Sequence, residues 1–117
     1  MMKIVDLSNG KLIASGASIA HSLLSRLVGV IGMREMPAGS AIIIPHCRQV
    51  HTMFVRFCID VLFVDKYHRV IGVQECMLPF SVSGYHRKSD YVIELPGGTV
   101  HTLGIQLCDD IQVEGLR

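Results

Sequence analysis

The apolar residues of this chain fall mostly in short runs rich in Val, Ile, Leu and Phe, and most of those runs are cut off by glycine, proline or Asn-Gly. That pattern favours strands over helices, because β-branched and aromatic side chains suit a pleated surface while Gly and Pro punctuate it. Residues 3–7 and 11–14 flank Ser8-Asn9-Gly10, and Asn-Gly between two β-prone runs predicts a hairpin. A second hairpin is predicted from residues 61–65 and 69–73 across Lys66-Tyr67-His68. Shorter strands are expected at residues 41–44, closed by Pro45, at 91–95, closed by Pro96, and at 111–113.

One segment has helical spacing instead: Ile19, Leu23, Leu24, Leu27 and Val28 recur at three- and four-residue steps, with Ser15 or Ser18 as a candidate cap and Gly29 and Gly32 at its end. Thr99 is expected to cap a second helical turn over residues 100–103, stopped by Gly104. The fold class this implies is mainly β: a small antiparallel β-barrel or jelly-roll-like sandwich, with one short helix near the N-terminus and a second helical turn. The irregular polar segment from Pro79 to Asp90 reads as an exposed loop covering one end of the barrel.

At 117 residues the chain fits a single domain, residues 1–117, able to bury roughly two thirds of its unfolded surface without metal or disulfide staples. Charged residues make up 18% of the chain, below the roughly 25% usual in soluble domains, so an exposed apolar patch and homo-oligomerisation are expected. The formal net charge is +1 and the eleven Lys and Arg residues are scattered, which argues against a nucleic-acid partner. No window reaches the ~18 consecutive apolar residues of a membrane span, so no membrane partner is expected. The apolar stretch 12–20 loosely resembles the end of an export leader, but Asp6, Asn9 and Lys11 interrupt it, so a cytoplasmic location is expected. Cys47, Cys58, Cys76 and Cys108 match no zinc spacing and are expected to be reduced and mostly buried.

Three segments resemble a known family. Residues 27–32, the block Val50-His51-Thr52-Met53-Phe54-Val55-Arg56-Phe57-Cys58-Ile59-Asp60-Val61-Leu62-Phe63-Val64-Asp65, and Glu94-Leu95-Pro96-Gly97-Gly98-Thr99 are similar, in order and spacing, to the R-x-x-G-L-x-x-R, H-T-x-F-M-R-F-P-I-D-V-x-F-x-D and E-L-P-A-G-T motifs of the domain of unknown function 192 family. The resemblance covers most of the chain from about Arg26 onward and implies a compact β fold with a shared site, but no reaction. The chain departs from the pattern at Cys58, where the family has Pro, at Gly97, where it has Ala, at Cys108, where Gly usually precedes the Asp, and at the displaced opening Arg.

His46, Cys47, Arg48, His51, Arg56, Cys58 and Asp60 crowd one segment of an otherwise apolar chain. If residues 50–60 formed one unbroken strand, Thr52, Arg56, Cys58 and Asp60 would share a face. The leading reading is a non-catalytic site for a small anionic ligand at the barrel mouth. Arg48, His51 and Arg56 supply positive charge there, Met53 and Phe57 a floor, Asp60 orients an Arg, and the Gly97-Gly98-Thr99 turn forms the rim. The structural alternatives are an Asp60 carboxylate that caps backbone N–H groups or pairs with the Arg56 guanidinium, and a His51 imidazole bonded to a backbone carbonyl. An enzyme using His51 with Asp60, or Cys47 with His51, is the second functional reading, and an interaction module the third. Metal binding by His46, Cys47, His51 and Cys58 suits the ligand types but not the spacing, so neither a cofactor nor a metal is expected.

Overall fold

The computed structural model describes residues 2–20, 35–53 and 55–115. Among the described residues seven strands are seen: β1 (Met2–Asp6), β2 (Lys11–Ile19), β3 (Ser40–Pro45), β4 (Ile59–Val64), β5 (Val70–Met77), β6 (Tyr91–Pro96) and β7 (Ile111–Glu114). One short helix, α1 (Thr99–Leu103), lies between β6 and β7. The strands form a single sheet in the order β5-β4-β6-β3-β2-β1-β7. The sheet curls until its two edge strands touch at one end, where Arg69 bridges Asp110 and the Val70 amide donates to the Asp109 carbonyl at 2.9 Å. Curling removes much of the exposed edge that an open sheet leaves unpaired.

Both expected hairpins form, with Asp6 opposite Lys11 and Val64 opposite Val70. In the first, Gly10 takes the left-handed conformation (φ 74°) and its amide bonds the Asp6 carbonyl at 2.8 Å. The mainly β, mainly antiparallel class is as expected, but the closed barrel or two-sheet sandwich is refined in two respects. There is one curled sheet, and β2 runs parallel to β3, which the long connection between them permits. The expected N-terminal helix is not borne out where it can be checked: Ser15, Ser18 and Ile19 lie in β2, and residues 21–34 lie outside the described residues. The leader-like stretch is likewise part of this strand, with Ile13, Ala14 and Ala17 in the core.

Alternation along the strands feeds two apolar clusters on opposite faces of the sheet. Leu62, Val64, Ile93 and Leu95 join Ile4, Ala41, Val100 and Ile111 inside the curl, whereas Val61, Phe63 and Val92 join Cys47, Val50, Val55 and Met77 outside it. Every residue of β4 is therefore buried, as expected for a strand covered on both faces.

The outer cover is the irregular segment 47–58 together with the strap 78–90. They are tied by backbone bonds from Thr52 to Ser81, Phe80 to Thr52, Ser83 to Val50 and His86 to Arg48, all 2.8–2.9 Å. The strap thus lies along one side of the sheet rather than over a barrel end. His86 stacks on Phe63, with ring centroids 3.9 Å apart, and sits over Gly72, where a Cβ would lie 2.5 Å from His86 Cε1. Glycine at position 72 is what lets the strap approach this closely.

Candidate functional site

Residues 50–53 and 55–58 lie outside the strands, and of the supposed strand 50–60 only Ile59 and Asp60 enter β4, so the expected shared face for Thr52, Arg56, Cys58 and Asp60 does not exist. Thr52 is buried and structural, its hydroxyl donating to the Leu78 carbonyl at 2.6 Å while accepting from the Ser81 amide at 2.8 Å. His51 is exposed, and its Nδ1 accepts from the Met53 amide at 3.3 Å rather than bonding a carbonyl. With Gln49, Val50, Met53 and Val82 it lines a shallow groove of about 330 Å³. Met53 thus keeps company with His51, while Phe57 packs against the outer core. Arg56 is exposed and lines neither this groove nor the cleft described below.

Asp60 is fully buried on the inner face and is spent on backbone. Its Oδ1 accepts from the Cys76 amide and its Oδ2 from the Val100 amide, each at 2.8 Å. Among the described residues it pairs with no Arg, Arg56 included, and the ion pair seen is Arg69–Asp110. Both bonds have local causes. Between Ile59↔Met77 and Val61↔Gln74, β5 holds one more residue than β4, so Asp60 faces a bulge in which Cys76 is left-handed (φ 48°) and its amide has no ladder partner. The Val100 amide is an orphan donor of the first turn of α1. Thr99 does not cap that turn: Gly98 is the N-cap, and the Thr99 hydroxyl donates to the Pro96 carbonyl at 2.7 Å. A carboxylate from β4 does the capping instead.

Gly97 and Gly98 follow β6 at this same end of the sheet, with Gly97 beside Cys58. A Cβ on Gly97 would lie 2.7 Å from Cys58 Sγ, so two of the positions where the chain departs from the family pattern touch in space. Cys58 Sγ also lies 3.1 Å from Cys76 Sγ. All four cysteines are free thiols, but only Cys47 is buried; Cys58 is half-buried, and Cys76 and Cys108 are exposed, against expectation.

Arg48 lies at the opposite end. There Val64, Tyr91 and Pro45 stand side by side, roughly 17 Å along β4 from the Ile59–Pro96 pair at ~3.3 Å per residue. Arg48, Lys66, Arg87 and Lys88 line a cleft of about 420 Å³ together with Asp65, Asp90, Tyr67 and Ser89. Backbone bonds fix its walls: the Asp90 amide to the Val64 carbonyl and the His46 amide to the Asp90 carbonyl, both at 2.7 Å. Asp65 Oδ1 holds the turn by accepting from the Tyr67 and Arg69 amides at 2.9 Å. The expected site therefore splits: Arg48 at one end, Asp60, Gly97, Gly98 and Thr99 at the other, and His51 and Arg56 on the surface. Lys66, Arg87 and Lys88 escaped the sequence reading. The adjacent basic pair Arg87-Lys88 was the available signal, but only the pairing of the strap with β4 sets it beside the hairpin turn.

The side chains of the two enzymatic readings are differently engaged. Cys47 is buried, with its Sγ 3.2 Å from the Gln49 carbonyl, while His51 is exposed, and both Asp60 oxygens are occupied. Among the described residues no three His, Cys, Asp or Glu side chains gather as metal ligands, so His46, Cys47, His51 and Cys58 are not brought together.

Two buried acids stand outside these sites. Burial pushes Glu94, in β6, up to about 7. Burial, with the Asp109 carboxyl alongside, pushes Asp6 up to about 6. Asp6 Oδ1 accepts from the Ser8 amide at 2.9 Å, but Oδ2 is buried without a hydrogen bond among the described residues.

The family model for uncharacterised ACR proteins, DUF192, matches residues 5–113. No curated protein matches the sequence. A crystal structure of a protein of unknown function from Novosphingobium aromaticivorans DSM 12444 is similar, with a TM-score of 0.81 at 17% identity over 95% of this chain and 82% of that one. A protein from Sinorhizobium meliloti 1021, proposed to be a transcription regulator, gives a TM-score of 0.81 at 21% identity over 98% and 93%. A protein from Burkholderia pseudomallei K96243, proposed to be exported, gives 0.51 at 11% identity, with 97% of this chain matching 24% of that one. At these identities the likeness concerns the fold alone. Among the described residues no helix is long and apolar enough to cross a membrane.

Proposed function

The chain belongs to the uncharacterised DUF192 family, and we propose that it is a non-catalytic binder of a small anionic ligand, held in the cleft between the β4–β5 turn and residues 87–90. The observation that carries this reading is the charge of the cleft: four cationic side chains against two carboxylates in about 420 Å³, on walls pinned by main-chain bonds. A preset concave site loses little entropy on binding, and arginine forks hold a carboxylate or phosphate with paired bonds. The proposal sets this binding in the cytoplasm, which the four free thiols support.

The test is thermal unfolding of the wild type with phosphate, sulfate and small di- and tricarboxylates at millimolar concentration. Arg48→Ala and Arg87→Ala should abolish the anion-induced rise in melting temperature, and His51→Ala and Arg56→Ala should retain it. No rise in the wild type refutes the reading; loss in His51→Ala or Arg56→Ala but not in Arg48→Ala moves the site to the outer groove. A second reading, a protein-contact surface, is favoured by the exposure of Leu78, Phe80, Val82 and Tyr85 along the strap, and would appear in the same samples as concentration-dependent self-association.

A further inference from the structure

We propose that Cys58 and Cys76 form a redox site, a dithiol that a low-molecular-weight disulfide converts reversibly to an intramolecular disulfide. The site is built rather than accidental. Cys58 immediately precedes β4 and Cys76 lies near the end of β5, its antiparallel neighbour, and the two sulfurs are 3.1 Å apart. A covalent S–S bond is ~2.05 Å, so closure asks for about 1 Å of movement.

Three features hold this approach. The β5 bulge re-aims Cys76 toward the partner strand at a positive φ that a non-glycine residue adopts only when its surroundings enforce it. The bond from the Cys76 amide to buried Asp60 does the enforcing. Gly97 leaves free the space that a methyl group there would take from Cys58 Sγ. Cys76 is exposed and Cys58 half-buried, so a small reagent reaches the pair, whereas Cys47 is buried.

The two thiols divide the chemistry. Either sulfur can receive the other's S–H across the 3.1 Å between them, and the contact with Cys58 pushes the Cys76 thiol up from its ordinary range, so the proposed sequence has Cys58 attack first. The Cys58 thiolate attacks one sulfur of the small disulfide, whose S–S bond breaks, and the departing thiolate leaves with the electron pair and is protonated. Cys76 then gives up its proton and attacks Cys58 Sγ in the mixed disulfide, expelling the second small thiol. Two protein thiols are oxidised by two electrons, and one small disulfide is reduced to two thiols. The new bond would lock the strand entrance to the bulge that carries the Asp60 bond, at the end of the sheet remote from the cationic cleft.

The experiment uses the full chain, fully reduced and then equilibrated with mixtures of oxidised and reduced glutathione. Titratable thiols should fall from four to two per chain. Trypsin under non-reducing conditions should release residues 57–66 joined to residues 70–87 with the loss of two hydrogens, and excess dithiothreitol should restore four thiols. Cys58→Ser and Cys76→Ser should each prevent the joined peptide, while the double variant Cys47→Ser/Cys108→Ser should still form it. The idea is overturned if the wild type keeps four thiols in oxidised glutathione. It is equally overturned if glutathione adducts accumulate on Cys76 or Cys108 without the joined peptide, or if the linked peptides contain Cys47 or Cys108. Because the decisive measurement is peptide mapping of the wild type, a variant that fails to fold leaves the outcome clear.

Discussion

Replacing Asp60 should reveal how much of the stability of one end of the sheet hangs on a single carboxylate. The side chain is fully buried and accepts two main-chain amides at 2.8 Å. Bonds to a charged acceptor contribute roughly 1.5–3 kcal/mol, and a buried donor left unpaired costs about 1–3 kcal/mol. The two amides are not equal. Cys76 is exposed, so water can replace its bond for about 1 kcal/mol, whereas the Val100 amide is buried and its loss should cost about 2–3 kcal/mol. Asp60→Ala is therefore expected to destabilise by about 3–4 kcal/mol. Asp60→Asn is the sharper probe: it keeps the volume, but its amide nitrogen must face one of the two N–H groups, donor against donor, so near-isosteric replacement should still cost about 2–3 kcal/mol. Urea unfolding at 25 °C, followed by circular dichroism, reads this as a shift of midpoint at unchanged slope. An Asp60→Asn protein within about 0.5 kcal/mol of wild type would refute the argument, because the carboxylate would then not be what satisfies those amides.

The buried acid of β1 should make stability fall as pH rises. The folded pKa of Asp6, about 6, lies above the ordinary 3.8, so its contribution is fully present below about pH 3.8 and lost through about pH 6. A shift of about two units caps the effect near 3 kcal/mol, and relaxation beside Asp109 should leave about 1–2 kcal/mol. Asp6→Asn should be more stable than wild type by that amount at pH 8 and equal to it at pH 4; parallel pH profiles of the melting temperature for the two proteins would contradict this. Gly10→Val should destabilise by about 1–2 kcal/mol, because φ is +74° there and a Cβ meets nothing within 4 Å, leaving only the backbone penalty. An unchanged thermal midpoint would mean that the turn tolerates a β-branched residue.

Local chemistry was sufficient for the elements whose signals are local. Asn9-Gly10 specified its hairpin because positive φ and side-chain bonding across the turn are properties of those two residues. The apolar runs specified β4 and β6 because a strand buried on both faces is apolar along nearly all its length, Asp60 and Glu94 being the exceptions here. By itself, then, the sequence determined that the chain is a small mainly β domain of its family, and it singled out Arg48, Asp60 and Cys58 but not Lys66, Arg87 or Lys88. Only the tertiary structure decided which of them meet. The parallel pairing of β2 with β3, the strap bonded along residues 48–52, and the bulge at Cys76 are long-range facts with no local signature. They send Arg48 to Lys66 and Arg87 at one end, and Asp60 and Cys58 to the Cys76 bulge at the other. The misplaced Thr99 cap and the spurious Asp60–Arg56 pair share one physical cause. A buried carboxylate is claimed by whichever donors the fold leaves unpaired nearby, and those donors sat 16 and 40 residues away in the chain.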